Sequence, residues 1–462
     1  MQQTLERELK LEAPDGFALP DLGGDPIEPR VFTSVYHDTA DRSLARAGIT
    51  LRRRTERGRS VWQLKIPVSG DRVSGARVEL EELGGPAGPP EQLRALLRAH
   101  ERRAALAPVA ELRTRRHGAL VNRQGATAEV TIDEVSIMDS HRVDGRFVEV
   151  EIELKDGEPR VLVRIAKELE KAGAKESDGT PKVFRVLDLS RPSTKSKTPF
   201  DRLRARLAEQ LDEILAHDPG TRLGHDPESL HDMRVAVRRA RALLRAGKTL
   251  IATDTQMLAL ELHWLGGILG DVRDLDVLLE RLHAAADELE SEDRAAANRL
   301  LRGLERQRTR LRRTMLKALD GERYAKLLDR FEATLAELEP TASKTTLDAL
   351  ASRQLKDLRR AVDAAGDTPD DTTLHDLRTR GKRMRYAHEL AGATKTVERA
   401  KRLQDVLGEH QDSVVAAERL RALSRDAPSD QALAAGLLIA REAARQEHAR
   451  RSWRKAWRLL AQ

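Results

Sequence analysis

The sequence predicts an α+β multidomain protein, a strand-rich amino-terminal half followed by an all-helical carboxy-terminal half. Three observations carry that expectation. Short runs with period-two alternation recur up to about residue 190, whereas long 3.6-period stretches rich in Ala, Leu and Arg fill the remainder. The 462 residues also exceed the ~250–300 at which a single core stops growing.

The strand runs, in order, are Leu5–Glu12, Thr50–Arg54, Ser60–Ile66, Ala76–Glu81, Ala128–Asp133 and Arg146–Lys155. Turn formers such as Pro67-Val68-Ser69-Gly70 and Asp156-Gly157 separate them. Two helices are expected among the strands. One is Pro90–His100, where Pro takes a permitted first-turn position, and the other is Val161–Ala172. Ser190–Pro199 (SRPSTKSKTP) has no periodic apolar pattern. The expected organisation is therefore a domain at 1–190, a linker at 191–199 and a domain at 200–462.

From Phe200 onward helices are expected, with loops around Pro219–Pro227, Pro340–Lys344 and Gly366–Thr373. This half repeats itself. Leu230-His231-Asp232-Met233-Arg234 returns as Leu374-His375-Asp376-Leu377-Arg378, and Leu269-Gly270-Asp271-Val272-Arg273-Asp274 returns as Leu407-Gly408-Glu409-His410-Gln411-Asp412. Two matches in the same order argue for a duplicated helical bundle, with a period too long for the solenoid classes.

Composition excludes several functions. Cysteine is absent, which removes disulfides, thiolate metal sites and cysteine nucleophiles. The start, MQQTLERELK, lacks the apolar core of a secretory signal, and the longest small-apolar run, Ala432–Ala440, is far shorter than the ~20 residues that span a bilayer. A cytoplasmic protein without a membrane partner is expected. Aromatics are only 3%, which disfavours a base-stacking nucleic-acid binder. Residues 1–195 carry a net charge of +1 and residues 196–462 a net charge of +6, a modest pointer to a polyanionic partner of the second half.

Charges stand where a core would be expected in the strand half. On a strand, residues two apart share a face, so Glu6, Glu8 and Lys10 point one way. Arg52 and Arg54 repeat the arrangement, as do Arg77, Glu79 and Glu81, and Glu149, Glu151 and Glu153; Arg113 and Arg115 share another face. Any single pair reads as the wet face of an antiparallel sheet. Four or more such strands, some anionic and some cationic, instead suggest the lining of a closed sheet. That lining cannot be dry, because unpaired buried charge costs several kcal/mol per ion. It must hold water, divalent cations and an anion, with carboxylates as hard oxygen ligands and Arg and Lys on phosphate oxygens.

With these pieces the first 190 residues resemble the CYTH superfamily, the triphosphate tunnel metalloenzymes. The resemblance rests on Glu6-x-Glu8-x-Lys10, Tyr36-His37-Asp38-Thr39, Leu51-Arg52-Arg53-Arg54, Leu64-Lys65, Gly145-Arg146-Phe147-Val148-Glu149-Val150-Glu151 and Thr180-Pro181-Lys182-Val183. It implies an eight-stranded antiparallel tunnel that hydrolyses a phosphoanhydride with Mg²⁺ or Mn²⁺. Glu6, Glu8 and Lys10 would be the catalytic signature. Lys10, Arg52, Arg54, Lys65, Arg115 and Lys182 would clamp the triphosphate. Glu6, Glu8, Glu149 and Glu151 would hold metal, with Glu79, Glu81, Glu129 and Asp133 as further candidates.

In the helical half, His231, Arg234, Arg238, Arg241 and Arg245 fall three or four apart, as do His375, Arg378, Lys382 and Arg385 in the second copy. Such spacing stacks cations on one helical face, where they repel one another. Duplication of the stripe argues against mere composition. An unduplicated ladder, Arg302, Arg306, Arg310, Arg313 and Lys317, would extend the basic surface. Asp274 and Asp412, also duplicated, are expected to fix the arginines or cap turns rather than to bind metal. Neither His231 nor His375 has a second His at i+4, so anion contact is expected of them rather than metal ligation. The stripe and its duplication resemble the CHAD domain, the conserved histidine α-helical domain. That resemblance implies two four-helix-bundle-like halves that bind long-chain inorganic polyphosphate through His231, Arg234, Arg238, Arg241, His375, Arg378, Lys382 and Arg385.

The expected function is a metal-dependent inorganic triphosphatase acting on tripolyphosphate, joined to a polyphosphate-binding module. A thiamine-triphosphatase and a class IV adenylyl cyclase are the alternatives within the enzyme class. A non-catalytic protein docked on polyphosphate granules and a nucleic-acid binder are the alternatives outside it.

Overall fold

The computed structural model describes residues 1–68, 76–139, 142–177, 179–187, 189 and 198–461. Residues 191–197 of the expected linker lie outside these, as do Ser69 and Gly70 of the expected turn. The chain divides into two compact units, Met1–Ser193 with Asp212–Met233, and Thr194–Leu211 with Arg234–Gln462.

The first unit is built on ten strands: β1 (Gln2–Glu6), β2 (Glu8–Ala13), β3 (Asp25–Asp38), β4 (Thr50–Glu56), β5 (Arg59–Pro67), β6 (Arg77–Leu83), β7 (Ala107–Arg123), β8 (Ala126–Asp139), β9 (Arg142–Asp156) and β10 (Lys175–Glu176). They form one sheet in the order β1-β6-β5-β4-β3-β7-β8-β9-β2-β10, antiparallel at every pairing. Hydrogen bonding thus gives ten strands in an open order rather than the eight expected. The cause is local: the first strand breaks at Arg7, so that Gln2–Glu6 pairs with β6 while Glu8–Ala13 pairs with β9. β10 then adds a two-residue edge to β2.

The two faces of this sheet have opposite chemistry. Leu51, Trp62, Leu64, Ile66 and Leu80 pack beneath Leu93 and Leu96 of helix α2 (Glu91–Leu96). Val130, Ile132, Val150 and Ile152 pack beneath Val161, Leu162, Ile165 and Leu169 of helix α4 (Arg160–Lys171). Strand periodicity then sends the alternate residues (Arg52, Gln63, Lys65, Glu79 and Glu151 among them) to the other face. The apolar core therefore lies between sheet and helices, and burial at ~25 cal/mol per Å² of apolar surface accrues there rather than on the charged face.

β7 and β8 approach so closely at one point that only glycine fits. A Cβ on Gly118 would stand 2.0 Å from the Val130 carbonyl oxygen and 2.8 Å from the Thr131 Cα. Both are backbone atoms, so the strands must part to admit it. Gly118→Ala is expected to destabilise the chain by about 3 kcal/mol in denaturant unfolding.

The helical elements are α5 (Pro199–Leu223), α6 (Pro227–Ala246), α7 (Gln256–Asp287), α8 (Ser291–Leu319), α9 (Glu322–Ala336), α10 (Leu347–Ala364), α11 (Asp371–Ala391), α12 (Thr394–Ser424) and α13 (Ser429–Ala461). The loop expected at Pro219–Pro227 is shorter than that, because α5 continues through Pro219 to Leu223. The repeated segments fall on α6 and α11, then on α7 and α12.

Two apolar clusters hold the helices together. One joins Leu278, Leu282 and Leu301 of α7 and α8 to Leu420 and Leu438 of α12 and α13. The other joins Leu358, Leu377 and Met384 of α10 and α11 to Leu403 and Trp457 of α12 and α13. Each is a four-helix cluster, and the long α12–α13 hairpin serves both. The duplication expected from the sequence thus shares two of its helices between cores.

Candidate functional site

The charged face of the sheet encloses a cavity of ≈ 280 Å³. Its lining includes Glu6, Glu8, Lys10, Arg52, Arg54, Lys65, Glu79, Glu81, Glu129, Asp133, Glu151 and Lys182. Twelve of the ligands proposed from the sequence therefore meet in one place. The lining also includes Arg30, Phe32, Tyr36, Gln63, Arg77, Arg116, Glu153 and Lys155, which were not among the proposed ligands.

Strand register sets the arrangement. Lys10 stands opposite Glu151, Glu6 opposite Arg77, and Lys65 opposite Glu79. At one part of the cavity the charges neutralise each other. The Lys182 ammonium lies 2.9 Å from Asp133, 2.9 Å from Glu149 and in contact with Glu151. Lys10 lies 3.2 Å from Glu151 and 3.3 Å from Glu8, and Arg116 grips both Asp133 oxygens at 2.6 and 2.7 Å. Burial opposes ionisation of Glu151, but Lys182, Lys10 and Arg116 hold its carboxyl well below the usual range. Burial likewise opposes the charge on Lys10, and Glu8, Glu149 and Glu151 outweigh it, so the ammonium is raised above its ordinary value.

Elsewhere the balance fails in both directions. Burial, aided by a hydrogen bond to Glu79, pushes the Glu6 carboxyl up to about 7 despite its 2.5 Å pair with Lys65. One oxygen of Glu79 is buried with no hydrogen-bond partner. Opposite in sign, Arg54 is held below its ordinary value by burial and by Arg52 and Arg116 nearby. Its guanidinium stacks 3.9 Å from the Phe32 ring centroid, while Arg52 donates to the Tyr36 hydroxyl at 3.2 Å and to Gln63 at 2.7 Å. Burial also lowers Arg77. Burial thus outweighs the pairs at hand: Glu6 and Glu79 share Lys65, at 2.5 and 3.7 Å, and Arg54 pairs with Glu56 at 2.5 Å.

Among the described residues nine cationic and eight anionic side chains line the cavity, a nearly neutral set. A triphosphate entering alone would leave its own charge largely uncompensated, whereas one arriving with a divalent cation would not. Among the described residues no group of three His, Asp or Glu converges to hold a metal unaided. The donor set still fits Mg²⁺ or Mn²⁺, since Mg²⁺ is usually held by one or two carboxylates with substrate phosphates and water completing its shell. Glu6 and Glu79, both in the cavity lining and both beside Lys65, are the fitting pair.

Two expected ligands sit elsewhere. Arg115 points outward, two-thirds exposed, with Glu134 at 3.8 Å. The inward residue is its neighbour Arg116, because a one-residue change of parity exchanges the faces of a strand. Glu149 is fully buried behind the lining and meets the cavity through Lys182. Arg116→Gln, which removes a lining cation and leaves Asp133 without its bidentate partner, is expected to weaken tripolyphosphate binding by ~30-fold or more, and Arg115→Gln to leave it within twofold by calorimetry.

In the helical unit a second cavity of ≈ 480 Å³ is lined by Arg238, Arg241, Arg245, Lys248, Arg353, Lys382 and Arg383, with Asp357 as its one acidic residue. Burial, with Arg378, Arg238 and Arg234 close by, brings Lys382 down to about 7. Tyr386 also lines the cavity and accepts a 2.8 Å hydrogen bond from Arg238. The duplicated arginines occupy duplicated notches. Arg234 lies over Gly270 and pairs with Asp274 at 3.0 Å, while Arg378 lies over Gly408 and feels the charge of Asp412.

The histidines are not at this cavity. His375 is exposed and bonded to Gln411 at 2.8 Å, and His231 lies on the part of α6 that belongs to the first unit. Arg385 pairs with Glu389 at 2.8 Å instead of lining the cavity. No described helix is long and apolar enough to cross a membrane.

Comparison with known proteins finds the two resembled families in the expected order. A CYTH domain matches residues 4–184 and a CHAD domain matches residues 205–421. The uncharacterized protein Rv2226 of Mycobacterium tuberculosis is 32% identical over 497 residues, covering 99% of this chain and 96% of that one. Among solved structures, PptA from Streptomyces chartreusis is 26% identical with a TM-score of 0.48, covering 56% of this chain and 99% of that chain. The CHAD domain from the plant Ricinus communis is 25% identical with a TM-score of 0.47, covering 56% and 91%.

Proposed function

This chain belongs to the family of proteins in which a CYTH domain precedes a CHAD domain, and from that premise we propose a divalent-metal-dependent inorganic triphosphatase whose helical unit binds polyphosphate. The CYTH family comprises enzymes acting on triphosphates with divalent metal. The observation that supports the finer reading is the gathering of the carboxylates Glu6, Glu8, Glu79 and Glu81 with the guanidiniums Arg52, Arg54 and Arg77 around one cavity. With β1 and β2 counted as one bent strand and β10 set aside, the sheet would supply the eight-stranded tunnel wall that this reading requires.

Glu6 and Glu79 would hold the metal, with Glu8 and Glu81 beside them in the lining. The metal would supply positive charge on the phosphate oxygens as the bridging P–O bond breaks. Arg52, Arg54 and Arg116 bind the phosphate chain and orient it, held in place by Tyr36, Gln63, Glu56 and Asp133. Lys10 and Lys182 present ammonium groups that stabilise charge on the leaving phosphate. Water is the nucleophile, and no side chain need form a covalent intermediate.

Inorganic substrate is favoured over nucleotide or thiamine triphosphate by the aromatic content of the lining. Phe32 and Tyr36 are its two aromatic rings, one covered by Arg54 and the other engaged by Arg52. No open ring face is offered to a base. Phosphate release from tripolyphosphate, ATP and thiamine triphosphate, measured side by side with Mg²⁺ and Mn²⁺, tests the reading. Tripolyphosphate should be turned over fastest, and cyclic AMP from ATP would overturn the assignment. Polyphosphate binding by the Arg238–Lys382 pocket would place the protein at polyphosphate granules, which co-sedimentation with purified granules checks.

A further inference from the structure

One charged surface takes no part in either cavity. Along α8, Arg302, Arg306, Arg310, Arg313 and Lys317 are all exposed, at steps of four, four, three and four residues. Those steps place them on one side of the helix, over a length of ~22 Å at 1.5 Å per residue. Among the described residues none of the five is in an ion pair. Neighbouring charges of α8 are already engaged: Glu305 lies 3.2 Å from His283, and Arg308 bonds Asp276 of α7. The ridge is thus a row of like charges with its local carboxylate spent on another partner, an arrangement that a solvated helix ordinarily relieves by interspersing Glu.

The side chains around the ridge narrow the partner. α8 has no aromatic residue to stack on a base, and none of the large exposed apolar side chains lies on it. A lipid interface needs an apolar face to insert, and a single-strand nucleic-acid track needs ring platforms. What remains is recognition by phosphate charge alone along a straight line. We propose that the α8 ridge is a second polyanion track, separate from the Arg238–Lys382 pocket, that takes an extended stretch of a long inorganic polyphosphate chain along its ~22 Å length. The choice of ligand rests on the polyphosphate reading of that pocket; the existence of the track rests on α8 itself.

The test compares the full chain with its R306Q/R310Q/R313Q variant, using fluorescently labelled polyphosphate of about 100 phosphates and, separately, tripolyphosphate. The variant should bind the long chain at least about tenfold more weakly at ~0.1 M salt, and its slope of log K against log salt should fall by about 2, as expected for three lost phosphate contacts. Tripolyphosphate binding should stay within about twofold, and R419Q/R421Q/R425Q, which removes three cations elsewhere, should match the parent for both ligands. Unchanged long-chain affinity and slope in the α8 variant would overturn the proposal. So would duplex DNA that displaces the long chain equally well at matched charge, which would make the ridge a nucleic-acid surface. Failure of the pocket reading is separately visible: R238E would then leave long-chain binding intact while the α8 variant still lost it.

Discussion

Glu6→Gln should lower the rate of phosphate release from tripolyphosphate about a thousandfold, equivalent to ~4 kcal/mol of transition-state stabilisation. The size follows from the role proposed for this carboxylate, one of the two that would hold the metal beside Lys65. Mn²⁺ binding to the resting protein should weaken by at least about tenfold in the same variant. pH separates this loss from general damage. Glu6 carries its proton below about 7 and loses it above, so protons should compete with Mn²⁺ at pH 6 and not at pH 8. The parent should therefore bind Mn²⁺ more tightly as pH rises through 7, and Glu6→Gln should flatten that dependence. Stability runs the other way. A carboxyl whose folded-state pKa lies above its unfolded value binds more protons when folded, so its contribution falls as pH rises from 4.5 to about 7. The Gln variant should accordingly unfold no more easily than the parent at pH 8, and a drop in its midpoint would point to misfolding instead.

Reversal of the helical pocket should be the other large effect. R238E/R241E replaces two of seven lining cations by anions, and long-chain polyphosphate should bind it about a hundredfold more weakly at ~0.1 M salt. Lys382 supplies the pH signature. Burial among Arg378, Arg238 and Arg234 brings it to about 7, so it is charged at pH 6 and largely neutral at pH 8. Polyphosphate affinity should fall as pH rises through that window, in the direction opposite to the Mn²⁺ dependence of the tunnel. Lys382→Met should remove the dependence and leave binding near the parent's high-pH value. A pH-independent affinity in the parent would show that Lys382 does not touch the ligand.

Much of this architecture is legible in the chain because the charged alternation of Glu6-Glu8-Lys10 and Arg52-Arg54 has no structural use on a dry face. The same alternation already included Arg77 and Glu153, which were given no ligand role, and it extends one step further to Lys155. β3 and β7 were harder to see. Pro26 and Pro29 open the first, and the second packs Arg113, Arg115 and Arg116 into four residues, so no clean parity emerges. That crowding is why Arg115 stood in for Arg116. Tyr36-His37-Asp38-Thr39 fits the family pattern, yet Asp38 acts as a brace: its carboxylate accepts from the backbone of Thr39, Leu44 and Ala45 and so fixes helix α1 (Ser43–Arg46). On α6 and α11 the helical period aligned histidines with arginines, but a stripe does not tell which of its members a third helix covers. Arg353 and Asp357 of α10, remote in sequence, complete the pocket, and His375 falls outside it.

Calorimetric titration of tripolyphosphate into the full chain, with and without Mn²⁺, probes the cavity most directly. A lining of nearly balanced charge should accept the anion only in company with the metal. Affinity should therefore rise about a hundredfold or more when Mn²⁺ is present, and the gain should vanish in Glu6→Gln. Equal tripolyphosphate binding in the presence of a chelator would contradict the account.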